Sequence, residues 1–424
     1  MEKILIQQAR VIDPSRDLDR VADILVEDGK IARIGENLSA EGARCIPAQG
    51  LVAAPGLIDM HVHLRDPGFT HKEDILSGCT AAAAGGFTAV AAMPNTKPVT
   101  DSPEILHYIL DKAKEAACRV YPVAAITKNL SGSALNDFAQ LKAAGAVAVS
   151  DDGRPVEKGG QMLEALKLAQ KEGLLCISHC EDLTIIDGGI MNKGKISEEL
   201  GVKGMDRASE DSITAREIVL AECSGTRIHI AHVSTKGSVQ LIREAKARGV
   251  MVTAETAPHY MMMTDELLRK KDANWRMNPP LREQEDCEAV IAGVLDGTLD
   301  CIITDHAPHA PEEKADFYKA PNGIVGLETS FAAANTVLCK QRGLSLMALL
   351  RLMSTRPAEV LGVEGGSLKE GGPADIVLLD PDKTWTVDKN QFHSKSKNTP
   401  FDGMELKGKA LCTICGGRIT YQNL

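Results

Sequence analysis

Eight short apolar runs, mostly of β-branched residues, recur between residues 57 and 304 and alternate with segments of helical character. Runs of this length and composition are typical of buried strands. The segments between them, such as HKEDILSGCTAAAAGG, carry Ala, Leu, Glu and Lys at helical spacing, and several of them end at a glycine, which favours a helix terminus. The runs are LIDMHV (57–62), FTAVAAM (87–93), RVYPVAA (119–125), AVAVS (146–150), LLCISH (174–179), RIHIAH (227–232), VMVTAE (250–255) and LDCIIT (299–304).

Eight alternations of strand and helix predict an α/β protein built on a closed (β/α)₈ barrel of the TIM type. An open, doubly wound parallel sheet is the structural alternative. Such sheets usually have fewer strands and a glycine fingerprint after the first strand, and no such fingerprint follows the first run here. We therefore expect the barrel.

Both ends of the chain have a different character from the middle. Residues 1–54 contain short alternating runs separated by turn signals such as Asp28-Gly29, and the stretches ADIVLLD, TWTVD and KGKALCTICGGRITYQ repeat this pattern near the C-terminus. Neither end contains a convincing amphipathic helix. We predict one small β-sandwich domain built from residues 1–54 and 364–424, with the barrel occupying residues 55–363.

Composition limits the possible partners. The chain has 58 acidic and 48 basic residues, a net charge of −10, and only 3% aromatic residues. Nucleic-acid binding needs basic surfaces and stacking platforms, and anionic membranes also need basic patches, so neither partner is expected. Eleven cysteines lie mostly inside apolar segments, and no secretory leader is evident in the sequence. These features favour a cytoplasmic protein with reduced thiols.

Polar side chains cluster where the predicted strands end. His61 and His63 close the first run, Asn95 follows the second and Asp151 and Asp152 follow the fourth. His179, His232 and Asp305 stand at the ends of the fifth, sixth and eighth runs. Because the carboxyl ends of barrel strands open onto one face, these side chains are expected to converge on one mouth.

This convergence predicts a metal site. A single histidine at a strand end is usually a satisfied hydrogen-bonding residue, but HVH places two imidazoles on the same side of a strand. Four histidines with carboxylates in one cavity are hard to explain as packing, since each buried polar group needs a partner. These ligand types suit zinc, with manganese or cobalt as substitutes. Six ligands exceed one tetrahedral zinc, which indicates two ions about 3.5–4 Å apart that share a bridging group and a bridging hydroxide.

Nine motifs in order resemble the bacterial class I dihydroorotases of the amidohydrolase superfamily. They are PGLIDMHVHLRDPG, AAMPNTKPV, VSDDG, SHCED, IAHVST, TAPHY, MNPPLR, TDHAPH and GIVGLET, and the resemblance runs from about residue 50 to 405. The terminal strands fit the composite β-domain of that family.

The resemblance implies a role for each metal ligand. His61 and His63 would bind the first metal, and His179 and His232 the second. Many relatives bridge the two metals with a carboxylated lysine, whereas class I dihydroorotases use an aspartate, which Asp152 matches and for which Asp151 is the alternative. Asp305 matches the ligand that also acts as general base.

The resemblance also implies a substrate site. Arg65, Asn95 and His309 match the residues that hold the substrate carboxylate, and a guanidinium can do so through two parallel hydrogen bonds. Asn278, Asn322 and Gly323 match residues that contact the dihydropyrimidine ring. The polar stretch from His309 to Pro321 is expected to form a mobile lid over the site.

The reaction implied is the reversible hydrolysis of (S)-dihydroorotate to N-carbamoyl-L-aspartate in pyrimidine synthesis. The resemblance further implies a homodimer and a possible complex with aspartate transcarbamoylase.

One rival function is that of a hydantoinase or allantoinase on the same scaffold, but these relatives generally have the bridging lysine and lack an arginine after the HxH motif. A second rival is a catalytically inactive homologue that serves as a scaffold for the transcarbamoylase. Such proteins typically lose metal ligands.

Overall fold

The computed structural model describes residues 2–424, and its centre is an eight-stranded parallel barrel. Neighbouring strands along the chain are neighbours in the barrel, and a parallel bridge between Val62 and His306 brings the first strand beside the end of the last. All eight predicted runs contribute a strand, so the barrel is confirmed and the open doubly wound sheet is wrong. Numbered in chain order, the barrel strands are β6 (Leu57–Val62), β7 (Phe87–Ala92), β8 (Arg119–Ala124), β9 (Ala148–Ser150), β10 (Leu175–Ser178), β13 (Ile228–Ile230), β14 (Val252–Thr256) and β15 (Cys301–Ile302). The strands with the other numbers lie outside the barrel and are described below.

Helices follow the barrel strands, as the periodicity of the intervening segments predicts. Asp74 caps the first helix by accepting a hydrogen bond from the backbone N–H of Ser77. Among residues 2–424, no helix combines the length and apolarity that crossing a membrane requires. The helices are α1 (Ile75–Ala84), α2 (Pro103–Ala113), α3 (Phe138–Ala143), α4 (Gly159–Lys171), α5 (Leu183–Ile186), α6 (Lys195–Leu200), α7 (Ala208–Ser224), α8 (Lys236–Ala247), α9 (His259–Met262), α10 (Gln284–Leu295), α11 (Ser330–Ala334), α12 (Leu346–Leu350) and α13 (Arg356–Leu361).

Both ends of the chain join in a second sheet of eight strands. Its two halves meet where β5 pairs antiparallel with β16, with Ala53 opposite Leu378. The predicted hairpin turn is present, and Asp28 and Gly29 have φ angles of 49° and 76°, as a two-residue type I′ turn requires. The strands are β1 (Ile4–Asp13), β2 (Leu18–Glu27), β3 (Lys30–Gly35), β4 (Arg44–Pro47), β5 (Val52–Pro55), β16 (Ile376–Thr386), β17 (Glu405–Cys415) and β18 (Arg418–Gln422); β11 (Met191–Asn192) and β12 (Gly204–Met205) form a separate ribbon.

Two apolar cores hold these parts together. The larger core lies between the barrel strands and their helices, and the smaller one packs inside the terminal sheet, where Ile4 and Ile24 meet Ile376 and Ile414. Residues from both chain ends share this smaller core, so the two ends are packed together as well as paired in one sheet. The barrel core fixes the strand ends, and the strand ends carry the polar side chains described next.

Candidate active site

The six predicted metal ligands lie together at the carboxyl ends of the barrel strands, and all six are buried. Their ligand atoms form two groups of three that share one member: His61, His63 and Asp152, and Asp152, His179 and His232. His232 and Asp305 follow their strands with positive φ angles of 33° and 49°. Such strained backbone is typical of functional sites, where it turns a side chain towards the cavity.

Asp152 is the central member of this cluster. Its Oδ1 atom lies 3.2 Å from His61 Nε2 and 3.4 Å from both His179 Nδ1 and His232 Nε2. Its Oδ2 atom lies 3.5 Å from His63 Nε2. One carboxylate therefore faces both histidine pairs, which is the position that a group shared by two ions requires.

Asp305 and Asp151 have different environments. Asp305 Oδ1 lies 3.1 Å from His63 Nε2 and 3.7 Å from His61 Nε2, on the side of the first histidine pair. Asp151 turns away from the histidines and accepts hydrogen bonds from the backbone N–H and the hydroxyl of Thr127. The structure thus separates the two adjacent aspartates, and only Asp152 points into the cluster.

Unpartnered atoms in this cluster fit a bound metal. His61 Nε2 and Asp152 Oδ1 are buried and form no hydrogen bond, and leaving such atoms unpartnered costs free energy. The donor set of imidazole nitrogens and carboxylate oxygens is the one that divalent transition metals prefer. We therefore assign this cluster as a divalent metal site.

The charges of the cluster are strongly linked. Burial opposes protonation of His61, but the Asp152 and Glu255 carboxylates outweigh it and raise the pKa of His61 well above its usual value. Burial likewise opposes protonation of His179, yet Asp152 and Glu181 raise its pKa to about 10. The same histidines hold the pKa of Asp152 well below its usual range against the effect of burial.

Two buried glutamates outside the predicted set orient the histidines. Glu255 lies 2.7 Å from His61 Nδ1, and Glu181 lies 2.9 Å from His179 Nε2. A carboxylate behind a metal-binding histidine fixes the ring orientation and its tautomer. Glu255 ends the seventh strand, so the rule that selected the other strand-end residues also points to it. Glu181 lies in a loop; it belongs to the SHCED motif, but the rule based on strand ends does not select it.

Arg65 and His309 lie side by side near the metal cluster, with Gly323 against His309, and the space that these three residues border is here called the anion pocket after its predicted ligand. Arg65 Nε donates to the Pro308 carbonyl, and its Nη2 lies 3.4 Å from His309 Nε2. Burial lowers the pKa of Arg65 to about 10, so the guanidinium remains charged at neutral pH. A Cβ atom at Gly323 would lie 2.7 Å from Ala307 Cβ and 3.1 Å from His309 Nε2, so a side chain there would crowd the pocket.

The three predicted substrate asparagines already contact the protein. Asn95 Oδ1 lies 2.8 Å from His63 Nδ1, which leaves its amide nitrogen for a ligand. Asn278 donates to Glu181 Oε1 at 2.9 Å. The Asn322 side chain accepts from Arg276, and its backbone carbonyl lies 2.9 Å from His309 Nε2. The backbone of Asn322, rather than its side chain, therefore faces the pocket.

Buried side chains hold the predicted lid, His309 to Pro321, against the barrel. Lys314 donates to the backbone carbonyls of Pro321 and Gly323 at 2.9 and 3.0 Å, and Arg276 donates to the Phe317 carbonyl. The His309 backbone N–H donates to Asn398 Oδ1 at 3.1 Å. The segment is thus closed over the anion pocket, and its movement stays a prediction.

Fold and site together define a class of protein. A (β/α)₈ barrel that gathers four histidines and two aspartates at its mouth is a hydrolase scaffold of the amidohydrolase type. Residues 50–238 match the Dihydro-orotase-like family, and residues 220–421 match an amidohydrolase family. Two curated proteins named dihydroorotase, from Geobacter metallireducens and Trichlorobacter lovleyi, are each 52% identical to this chain and are matched over 99% of both chains. The chain belongs to the dihydroorotase family.

Solved structures of related hydrolases share the fold at lower identity. The L-hydantoinase (dihydropyrimidinase) from Arthrobacter aurescens superimposes with a TM-score of 0.88 at 27% identity, covering 100% of this chain and 97% of that one. A dihydropyrimidinase from Brevibacillus agri superimposes with a TM-score of 0.86 at 25% identity, covering 99% of this chain and 95% of that one. The barrel and the terminal sheet are therefore common to enzymes whose names indicate different cyclic substrates.

Proposed function

We propose that this protein is a metal-dependent dihydroorotase that interconverts (S)-dihydroorotate and N-carbamoyl-L-aspartate in pyrimidine synthesis. The observation that carries the proposal is the anion pocket: Arg65 and His309 lie beside the metal cluster, where they can hold the carboxylate that distinguishes dihydroorotate from hydantoin or dihydrouracil. Similarity to dihydroorotases over nearly the whole chain supports the same substrate.

The proposed cofactor is zinc, with two ions per subunit. His61 and His63 would hold one ion and His179 and His232 the other, with Asp152 shared between them, since Asp152 Oδ1 lies within 3.4 Å of nitrogen atoms from both pairs. Bound divalent ions supply Lewis acidity and lower the pKa of water towards neutrality. Glu255 and Glu181 would keep the ring nitrogens of His61 and His179 aimed at the ions.

Asp305 is the proposed proton carrier. Burial opposes its ionisation, but the neighbouring histidines, His63 first, hold its pKa below the usual value, so the carboxylate is ionised at neutral pH. It can accept the proton of the attacking water and return that proton to the ring nitrogen as the amide bond breaks. In the ring-closing direction the same carboxylate takes the proton from the carbamoyl nitrogen.

The remaining predicted residues would orient the substrate. Arg65 and His309 would hold its carboxylate, with the free amide nitrogen of Asn95 as a further donor. Asn278 and the backbone at Asn322 and Gly323 would contact the ring. Holding the ring amide in one orientation beside Asp305 turns proton transfer into a short, directed step.

A direct assay on the metal-loaded protein tests the proposal. We expect turnover of dihydroorotate in both directions and little opening of hydantoin or allantoin rings. Opening of hydantoin or allantoin, with none of dihydroorotate, would assign the protein to the rival group, with which it shares its fold. A lysine at the bridging position is the marker of that group, and this chain has Asp152 there.

Metal content measured on the same sample tests the cofactor proposal and the second rival. We expect close to two zinc ions per chain in protein purified without chelators, together with turnover. A site that takes up no divalent metal, in protein that also fails to turn over dihydroorotate, would favour an inactive scaffold. Retention of all six ligand residues supports the active enzyme.

The assembly, location and domain division are proposed on the family resemblance. We propose a cytoplasmic homodimer that can associate with aspartate transcarbamoylase. We also propose that residues 1–54 and 364–424 form one domain and residues 55–363 the other. Sedimentation of the protein alone and with the transcarbamoylase would test the assembly, since a monomer that binds no partner would contradict both statements.

A further inference from the structure

Lys72 lies behind the anion pocket and has no part in the proposed chemistry. Its Nζ atom lies 3.4 Å from His309 Nδ1 and 2.9 Å from Glu313 Oε1, and its side chain is 14% exposed. The Lys72 backbone is also fixed, because its carbonyl accepts a hydrogen bond from the Ser396 hydroxyl at 2.6 Å. A nearly buried cation is therefore held against one nitrogen of His309.

The contacts of His309 select one arrangement of its ring proton. A lysine ammonium can only donate, so Nδ1 must carry the lone pair that faces Lys72. The Asn322 carbonyl can only accept, and it lies 2.9 Å from Nε2, so Nε2 must carry the proton. Two contacts on opposite sides of the ring thus require the same tautomer.

The opposite tautomer is poorly supported. It would turn the Nε2 lone pair towards the Asn322 carbonyl, leaving Arg65 Nη2 at 3.4 Å as the only donor to that atom. Its Nδ1 proton would face the Lys72 ammonium, and the nearest acceptor, Glu313 Oε2, is 3.7 Å away, too far for a hydrogen bond. Its only supporting contact is the 3.4 Å approach of Arg65.

We propose that Lys72 is a positioning residue that, together with the Asn322 carbonyl, holds His309 in the Nε2–H tautomer, so that the Nε2 proton can be shared between that carbonyl and the substrate carboxylate and no lone pair faces the substrate. This inference rests on the proposed function. Nε2 is the nitrogen on the Arg65 side, where the carboxylate would bind. The Lys72 charge behind the ring also polarises the imidazole and strengthens its Nε2–H as a donor to an anion.

The surroundings of His309 make the tautomer matter. Burial and the charges of Arg65, Lys314 and Lys72 lower the pKa of His309 to about 2, so the ring is neutral at physiological pH. A charged ring would donate from both nitrogens whatever its neighbours. A neutral ring offers either a proton or a lone pair, and a lone pair facing a carboxylate would repel it.

The tautomer can be measured directly in ¹⁵N-histidine-labelled, metal-loaded protein. Long-range ¹H–¹⁵N spectra distinguish a protonated from an unprotonated ring nitrogen, and His309→Gln identifies the His309 signals. We expect Nε2–H in the wild type and in Lys72→Arg, and a partial shift towards Nδ1–H in Lys72→Met, where the Asn322 carbonyl alone still favours Nε2–H. Glu313→Gln is the matched control, because it breaks the Lys72–Glu313 pair but leaves Lys72 beside Nδ1; it should keep Nε2–H.

Kinetics on the same proteins complete the test. Losing one hydrogen bond to a charged group predicts that Lys72→Met raises KM for dihydroorotate about tenfold, with kcat within about threefold of wild type. Lys72→Arg should recover most of the loss. An unchanged tautomer in Lys72→Met overturns the proposal even if KM rises, since the lysine would then act only through its charge. A changed tautomer with wild-type KM also overturns it. A wild type that does not turn over dihydroorotate refutes the proposed function instead.

Discussion

Two buried polar clusters in the barrel domain differ in how well their atoms are satisfied. In the metal cluster at the mouth, His61 Nε2 and Asp152 Oδ1 have no hydrogen-bond partner. The second cluster, here called the Arg282 network, links the segment after β13 to the loop before α10. It consists of Arg282, Glu210, Ser234, Asn192 and Asp265, and in the described part of the chain none of these side chains has a buried, unpartnered atom.

The Arg282 network shows how this fold buries charge when no ligand is involved. Arg282 donates to Ser234 Oγ at 3.0 Å, to Asn192 Oδ1 at 3.2 Å and to Glu210 Oε2 at 3.3 Å. Glu210 in turn accepts from the backbone N–H groups of Ser234 and Thr235 at 2.9 and 3.1 Å. The unpartnered atoms at the mouth lie among imidazole and carboxylate groups, which are the donors that a divalent metal prefers, so they indicate a site that a ligand completes. The first cluster serves chemistry, and the second serves stability.

The largest expected effect is on turnover. Asp305→Asn removes the proton acceptor but keeps the size of the side chain, so we expect kcat to fall by about 10²–10⁴-fold. Steady-state assay with dihydroorotate measures it, and the exposed Asp296→Asn serves as a control that should keep the wild-type rate. A variant of Asp305 that retains more than about a tenth of the rate would remove this residue from the base role.

The second prediction concerns the Arg282 network. Arg282→Met leaves the Glu210 carboxylate buried without its cation, so the free energy of unfolding should fall by about 3–5 kcal/mol. Denaturant unfolding measures the change. Arg248→Met, which breaks an exposed pair with Glu222 at 3.3 Å, should cost less than about 1 kcal/mol. Equal losses in the two variants would mean that the network contributes no more than a surface ion pair.

The third prediction tests whether metal completes the cluster at the mouth. Adding zinc at about 100 times the dissociation constant of each site should stabilise the metal-free protein by about 2.7 kcal/mol for each site that it fills. Asp152→Asn should lose most of this gain, because Asp152 belongs to both ligand groups. Asp151→Asn is the matched neighbour and should keep the gain, since Asp151 binds Thr127. If Asp151→Asn instead abolishes the gain, the assignment of the shared ligand is wrong.

The smallest expected effect concerns Lys314, which anchors the lid. Burial, aided by the charge of Arg276, lowers the pKa of Lys314 to about 7. An unfolded lysine titrates near about 10.4, so between pH 7 and 10 the unfolded chain holds a proton that the folded chain has released. Stability therefore rises with pH across this window, and the cost of burying the charge is fully present only below pH 7.

Comparison with a variant isolates this contribution. The free energy of unfolding of the wild type, relative to that of Lys314→Met, should rise by about 1–2 kcal/mol between pH 7 and pH 9. The same comparison with Lys319→Met should be flat, because Lys319 lies in the same segment but is 87% exposed. A flat difference for Lys314 would show that it titrates as an ordinary lysine.

Particular residues show how far the sequence leads. The period of two in a strand places His61 and His63 on one side, and the strand ends gather His179, His232 and Asp305 at the same mouth. Neither argument chooses between Asp151 and Asp152, which differ by one position. That choice depends on Thr127, which lies 24 residues before Asp151 and accommodates its carboxylate.

The sequence by itself determined the barrel, the terminal sheet and which side chains converge, because periodicity and strand ends are local properties that the chain carries in order. Only the tertiary structure decided which residues contact the far sides of the site histidines. Glu255 reaches His61 across 194 positions, and Lys72 reaches His309 across 237. These contacts depend on the distance and direction between segments remote in the chain, which no local pattern records.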